Sequence, residues 1–307
     1  MMIKEEKARL KAERKKRAEE RRAEKKRKKV HGRVSAFLLR WAVRICMGIT
    51  AAVLLFIVGY ILIKGVPHLT PELFSWEYNS ENVSLMPALI NTLLMTLLSL
   101  LIAAPLGIFA AIYLVEYAKR GNKLVGLVRI TAETLSGIPS IVYGLFGLLF
   151  FVTALKWNMS LIAGACTLAI MILPVIMRTT EEALKSVPDT YREGSFGLGA
   201  GRLRTVFKIV LPSAVPGILA GVILSIGRIV GETAALMYTA GTVPELPTSI
   251  FSSTRTLSVH MYALSSEGLH IEKAYATAVV LIVIVVGINA LSAYIAKKIT
   301  KGKLGGK

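Results

Sequence analysis

Two charged side chains lie inside a long apolar run in the second half of the chain. Arg228 and Glu232 are four residues apart within the segment 227–234. On one helix this spacing places both side chains on the same face, where they can form an ion pair. A charge at the centre of a membrane span costs several kcal/mol and usually faces the protein interior or an aqueous path. The spacing therefore predicts either a self-neutralising pair or a site where Arg228 attracts an anion that Glu232 helps to position.

A third charged side chain follows an earlier apolar run. Arg178 stands directly after Met177 and before a short polar stretch. A guanidinium group can hold a phosphate through two parallel hydrogen bonds, which suits it to an anion path. The alternative is an interfacial arginine that buries its stem and extends its charge to water.

A polar segment, 182–208, separates two apolar runs. Pro188 and Asp189 suit the first turn of a helix, where a missing N–H is tolerated and a negative charge is favoured. The predicted short helix has one apolar side, made of Tyr191, Ser195, Phe196 and Leu198, and it ends in Gly197, Gly199 and Gly201. Such a helix could fill a groove of another protein. A solvated loop is the alternative.

The elements that carry these residues are predicted to be membrane-spanning helices. The chain has 307 residues, of which 54% are hydrophobic, whereas soluble domains contain about 45–50%. The excess is concentrated in runs of about 20 residues, which is the length of a span. We therefore predict an all-α polytopic protein with six spans. They are 41–63, 85–115, 130–155 (interrupted by Ser136–Ser140), 161–177, 206–238 and 275–295.

The distribution of charge predicts the orientation of these spans. Residues 1–33 contain 16 Lys and Arg against 6 Glu, so they carry +10 of the net charge of +19. Basic loops face the cytoplasm, so both termini and the segment 182–208 are predicted to be cytoplasmic, and 241–275 extracytoplasmic. We divide the chain into a basic arm (1–40), a membrane domain (41–298) and a tail (299–307). The arm can contact anionic lipid, and the apolar runs argue against binding of nucleic acid.

Several kinds of chemistry have no support in the sequence. Asp189 is the only aspartate, and the four histidines and two cysteines have no metal-ligand spacing. The glycines after residue 196 lack the Gly-Lys-Ser/Thr sequence of a phosphate-binding ATPase loop. We therefore expect no cofactor and no metal. An energy source would have to be a partner protein.

The segment 193–212 resembles the "EAA" motif of ABC importer permeases. Its parts are Glu193-Gly194-Ser195, then Gly199, then Ile209-Val210-Leu211-Pro212. In that family the motif forms a coupling helix that docks into an ATPase subunit, so the resemblance implies docking roles for Tyr191, Glu193, Ser195 and Gly199. Gly194 and Ser195 depart from the alanines usual there, and Gly194 weakens a helix by about 0.5–1 kcal/mol.

Three further segments, 137–145, 178–181 and 228–234, are similar to the phosphate-specific permeases of this family. The resemblance covers about 93–296 and, more loosely, the first span, but not the basic arm. It implies that Arg178, Arg228 and Glu232 serve phosphate passage through a cell membrane. It also implies four partners: a sister permease, ATPase subunits, an extracytoplasmic phosphate-binding protein and membrane lipid. ATP hydrolysis would belong to the ATPase, not to this chain. The alternatives are an ABC permease for another oxyanion or solute, a secondary transporter and an intramembrane enzyme.

Overall fold

The computed structural model describes residues 37, 39–119 and 121–304, and in the last helix it describes side chains only at 271–291, 293 and 294. Within this part the chain forms helices and no strand, which confirms the all-α prediction. Most of the predicted arm 1–40 lies outside the described residues, as does the end of the tail. The division into arm, membrane domain and tail remains a prediction.

Ten helices longer than one turn occur in the described part of the chain. In order they are α1 Leu39–His68, α2 Met86–Tyr117, α3 Lys123–Ser136, α4 Ser140–Ala154, α5 Leu161–Lys185, α6 Asp189–Gly197, α7 Arg202–Val230, α8 Ala234–Thr239, α9 Leu257–Glu267 and α10 Ile271–Leu304. Five of them are long and apolar enough to span a membrane, and the bent pair α3–α4 would make a sixth span. The described residues up to 60 and those from 61 onward belong to two separate compact units, and the packing described below lies within the second.

Helix α5 lies at the centre of the packed helices. In its most apolar window 67% of the residues are buried, against 33% or less in the other candidate spans. Small residues let α7 approach it closely, as is common between helices in membranes. A Cβ on Gly217 would lie 2.6 Å from that of Ala183, and one on Gly221 would overlap Thr179. These contacts place Ala183 and Thr179 of α5 directly beside Gly217 and Gly221 of α7.

The predicted interruption of the third span is confirmed. Helices α3 and α4 meet at 103°, because Pro139 lacks an N–H and disfavours a helical conformation at Ile138. The Tyr143 hydroxyl donates to the carbonyl of Leu135 across the bend at 2.7 Å. The helix before the bend begins at Lys123, so it includes residues between the predicted second and third spans.

The prediction of one continuous helix over 206–238 is wrong. Helix α7 ends at Val230 and α8 begins at Ala234. In the break, Glu232 Oε1 accepts the backbone N–H of Ala235 at 3.0 Å, and a side-chain oxygen in this role favours a new helix start. The break lets α8 pack on α4 at Gly144, where an added Cβ would lie only 2.8 Å from Ala235 Cα.

Two helices contain a widened, π-helical turn near the polar segment. At the end of α2, Tyr113–Tyr117 form such a turn, and Ala118 N donates to Tyr113 O five residues earlier at 2.9 Å. A second one occupies Val206–Val210 in α7. Turns of this kind hold one more residue than an α-turn and are frequent at functional sites.

Candidate functional site

Helix α6 matches the short helix that the sequence predicts in the polar segment. It begins at Asp189, after Pro188, and ends at Gly197. Gly199 follows with a φ of +82°, a left-handed conformation that glycine adopts without a steric penalty. The sequence therefore fixes both ends of this helix locally.

Exposed apolar side chains lie on α6 and directly after it. Tyr191 is 52% exposed, Phe196 47% and Leu198 90%, and Glu193 is also exposed. The prediction that Ser195 lies on the exposed apolar side of the helix is wrong. Ser195 is only 5% exposed, and its hydroxyl lies 2.8 Å from that of Thr205 in α7. Ser195 thus attaches α6 to α7 of the same subunit.

Arg192 makes the main attachment of α6. Its Nη2 lies 2.7 Å from Glu116 Oε1 at the end of α2. Its Nη1 and Nη2 also donate to the carbonyls of Val187 and Leu184 at 2.8 and 2.9 Å. The side chains of Arg192 and Glu116 are only 15% and 8% exposed. The hydrogen bond to Glu116 is the main cause that raises the pKa of Arg192, so Arg192 stays positively charged.

This attachment was not predicted from the sequence, in which neither Arg192 nor Glu116 was assigned a contact. Glu116 is a lone acid between an apolar run and the basic residues Lys119 and Lys123. That contrast was a signal for a buried partner, although nothing in the sequence identifies which arginine it is.

A cavity of about 460 Å³ lies between α3, α5 and α7. Its charged lining residues are Arg129, Glu133, Arg178, Glu181, Glu182 and Lys185. Arg178 Nε donates to Glu182 Oε1 at 3.2 Å, and these side chains are 61% and 66% exposed. An exposed pair of this kind is worth at most about 1 kcal/mol, so Arg178 remains available to an anion.

Glu181 joins the two helices on either side of this cavity. Its carboxylate lies 2.7 Å from Arg129 Nη2 on α3 and 2.5 Å from Lys185 Nζ on α5. The Glu181 side chain is only 8% exposed, whereas the two cations are about half exposed. This link was also missed, because its partners are 52 residues apart in sequence.

Arg228 lies one helical turn beyond the cavity. Leu224, four residues earlier on α7, lines the cavity beside Arg178, and residues four apart share a face of a helix. Among the residues that the structure describes, no carboxylate forms an ion pair with Arg228.

Of the two alternatives that the sequence left open, the self-neutralising pair of Arg228 and Glu232 is therefore wrong. The two residues do not share a helix, and the Glu232 carboxylate binds the start of α8. Glu232 is 8% exposed, and its carbonyl accepts a hydrogen bond from the Ser258 hydroxyl at 2.5 Å. Glu232 thus shapes the break beside Arg228 and leaves the guanidinium without an internal anion.

The two arginines lie at different depths. Thr179, the neighbour of Arg178, contacts α7 at Gly221. Arg228 is seven residues further along α7, which is about 10 Å at 1.5 Å per residue. Among the described residues, an arginine of α7 without an ion-pair partner and a weakly paired arginine of α5 thus lie at levels about 10 Å apart along α7.

Residues 103–301 match the family described as "Binding-protein-dependent transport system inner membrane component". The chain belongs to this family. It is 37% identical over 240 residues to the probable ABC transporter permease protein YqgI of Bacillus subtilis (strain 168), covering 73% of this chain and 81% of that protein. It is 35% identical over 211 residues to the phosphate transport system permease protein PstA 1 of Mycobacterium tuberculosis (strain CDC 1551 / Oshkosh), covering 68% and 69%.

Solved structures of ABC importers share the fold of this permease. A chain of a bacterial alginate ABC transporter aligns with a TM-score of 0.57 at 19% identity, over 82% of this chain and 95% of that one. A chain of the MetNI methionine ABC transporter aligns with a TM-score of 0.54 at 20% identity, over 69% and 93%. The predicted importer-permease fold is confirmed. The chain is a multi-pass membrane transport subunit, and its family implies an ATPase and a substrate-binding protein as partners.

Proposed function

We propose that this permease conducts phosphate in an ATP-driven importer. The observation that carries the proposal is Arg228, which has no ion-pair partner among the described residues and lies one turn beyond the cavity that contains Arg178. Arginine suits phosphate because its planar group binds two oxygens at once. Relatives named as phosphate transport permeases support this cargo.

Each charged residue has a distinct part in the proposed path. Arg228 takes the anion first because no carboxylate in the described part of the chain forms an ion pair with it. Arg178 receives it next, because its pair with Glu182 is exposed and weak. Glu232 acts on the path indirectly, since its carboxylate holds α8 against the end of α7. The anion therefore passes from an arginine that binds it more tightly to one that binds it less tightly, and this order favours its release.

We further propose that α6 docks into the ATPase on the cytoplasmic side. Basic loops on that side, with both termini, support this orientation. Tyr191, Phe196 and Leu198 offer exposed apolar side chains to a partner, and Glu193 and Gly199 are exposed as well. Ser195 contributes by anchoring the helix rather than by contacting the partner.

The complete importer would contain this chain, a sister permease, two ATPase subunits and a phosphate-binding protein on the outer side. ATP would close the ATPases and move α6. Two links would pass that movement into the spans: Arg192 with Glu116 in α2, and Ser195 with Thr205 in α7. Hydrolysis would take place only in the ATPase subunits.

Uptake of labelled phosphate into proteoliposomes tests this proposal. The vesicles contain the whole complex, with the binding protein outside and ATP inside. We expect ATP-dependent uptake that equimolar sulfate and molybdate do not suppress. Arg228→Ala should reduce uptake to background with the complex still assembled, whereas Lys119→Ala, which removes an exposed loop cation, should leave it unchanged. Normal uptake by Arg228→Ala would refute the path.

The same experiment separates the alternatives. Uptake of sulfate or molybdate in place of phosphate would keep the importer and change its cargo. Uptake without ATP or without the ATPase would indicate a secondary transporter.

A further inference from the structure

Arg255 is a buried cation in the segment between α8 and α9. It is only 4% exposed. Its Nε and Nη2 atoms find no hydrogen-bond acceptor in the described part of the chain. Within the same residues no carboxylate forms an ion pair with it. Arg255 belongs to the segment 241–275, which the sequence predicts to be extracytoplasmic.

The surroundings of Arg255 do not neutralise its charge. The guanidinium carbon lies 5.0 Å from the centre of the Tyr78 ring, a contact worth about 2 kcal/mol when desolvated. His260 packs edge-on against the same ring, with the ring centres 6.2 Å apart. Burial, and then the charge of Arg255, lower the pKa of His260 to about 3. His260 is therefore neutral, and the cluster keeps one positive charge.

The backbone around Arg255 is held in place on both sides. The fully buried Asn91 of α2 donates through Nδ2 to the carbonyls of Arg255 and Glu245 at 3.3 and 3.0 Å. The N–H of Thr254 donates to the carbonyl of Ala240 at 3.0 Å. A surface arginine needs no such anchoring, because its long side chain finds water by itself.

An arginine in this position needs an anion. Its guanidinium does not lose its proton in proteins, and a buried charge without a partner is strongly unfavourable. Nε and Nη2 form one edge of the guanidinium, whose two N–H groups point the same way. That edge fits two oxygens of a single oxyanion. Both atoms of the edge are buried and unpaired.

We propose that the Nε–Nη2 edge of Arg255 binds a small inorganic oxyanion of the phosphate class, at a site separate from Arg178 and Arg228. The site is built from the segment before α9, the α2 residue Asn91 and the Tyr78 ring. It does not require phosphate to be the transported cargo, because an enclosed oxyanion also stabilises the fold around it.

Binding of labelled inorganic phosphate to the purified complex tests the site. The complex lacks nucleotide and binding protein, carries Arg178→Met and Arg228→Met to remove the proposed path residues, and is equilibrated overnight in chloride-free gluconate buffer. We expect one more bound phosphate per chain than in the same complex with Arg255→Met added. Equal binding in both complexes would overturn the proposal.

A second variant guards against misfolding. Arg255→Lys keeps the charge but lacks the two-nitrogen edge, so it should bind phosphate at least about tenfold more weakly. Unchanged affinity in Arg255→Lys would also overturn the proposal, as would displacement of phosphate by an equal concentration of chloride. Because the proposed path residues are absent, this binding is expected even if uptake shows another cargo, so the two proposals fail independently.

Discussion

The buried pair between Arg192 and Glu116 yields the sharpest prediction, because it attaches α6 to α2. Arg192→Met keeps the length of the side chain and leaves Glu116 buried without its cation. Removing one partner of a buried ion pair costs about 3–5 kcal/mol. The exposed fractions of 15% and 8% place this pair among the buried ones. Two hydrogen bonds to the carbonyls of Leu184 and Val187 would be lost as well.

The expected result is uncoupling rather than loss of assembly. The exposed face of α6 remains, so the ATPase should still bind and hydrolyse ATP. Movement of α6 should no longer reach α2, and we expect transport per ATP to fall at least about tenfold. Such a fall needs only about 1.4 kcal/mol of the loss. The assay measures phosphate uptake and ATP hydrolysis in the same proteoliposomes.

Two further variants test whether the pair of Arg192 and Glu116 transmits the movement of α6. Asp189→Asn removes the other acidic partner of Arg192. Because the Asp189 side chain is 79% exposed, the amount of phosphate transported per ATP should change less than about fivefold. Arg192→Met with Glu116→Leu replaces the whole pair by apolar groups, so the double variant should be more stable than Arg192→Met alone. An unchanged ratio in Arg192→Met, or equal effects of Arg192→Met and Asp189→Asn, would show that the pair does not transmit movement.

Three more predictions concern other parts of the molecule. Glu193→Lys reverses an exposed charge at the proposed ATPase face and should reduce co-purification of the ATPase; equal recovery would contradict the docking role. As pH falls from 6.5 towards 3, the unfolded chain gains a proton at His260 that the folded chain does not accept, so stability should fall by up to about 1.4 kcal/mol per pH unit. In His260→Gln, thermal unfolding followed against pH should show a shallower slope, and an identical slope would show that another group is responsible. Gly144→Ala places a Cβ 2.8 Å from Ala235 Cα and should lower the melting temperature, whereas Gly126→Ala, with open space around it, should not.

Features that depend on local sequence were predictable. Apolar runs located the spans, and Pro139 located the bend between α3 and α4. Pro188 and Gly199 located the two ends of α6. Each of these signals acts within a few residues, through a missing N–H or a permitted backbone angle.

Features that depend on distant contacts were not predictable. The spacing of Arg228 and Glu232 suggested a pair on one helix, and a glycine between them did not by itself indicate a break. The break is stabilised by the bond of Glu232 to Ala235 and by Ser258, 26 residues away. Burial of Arg255 likewise depends on Asn91, 164 residues earlier. No local pattern specifies such partners.

The coupling of α6 to the spans depends on the number of residues in the widened turns of α2 and α7. Glu116 lies within the turn at Tyr113–Tyr117, and Thr205 directly precedes the turn at Val206–Val210. Both attachments of α6 therefore adjoin a turn that holds one extra residue. Deleting that residue would rotate the following part of the helix by about 100° and turn the attachment away from α6. Homologous permeases should thus tolerate substitutions in these two turns more readily than insertions or deletions.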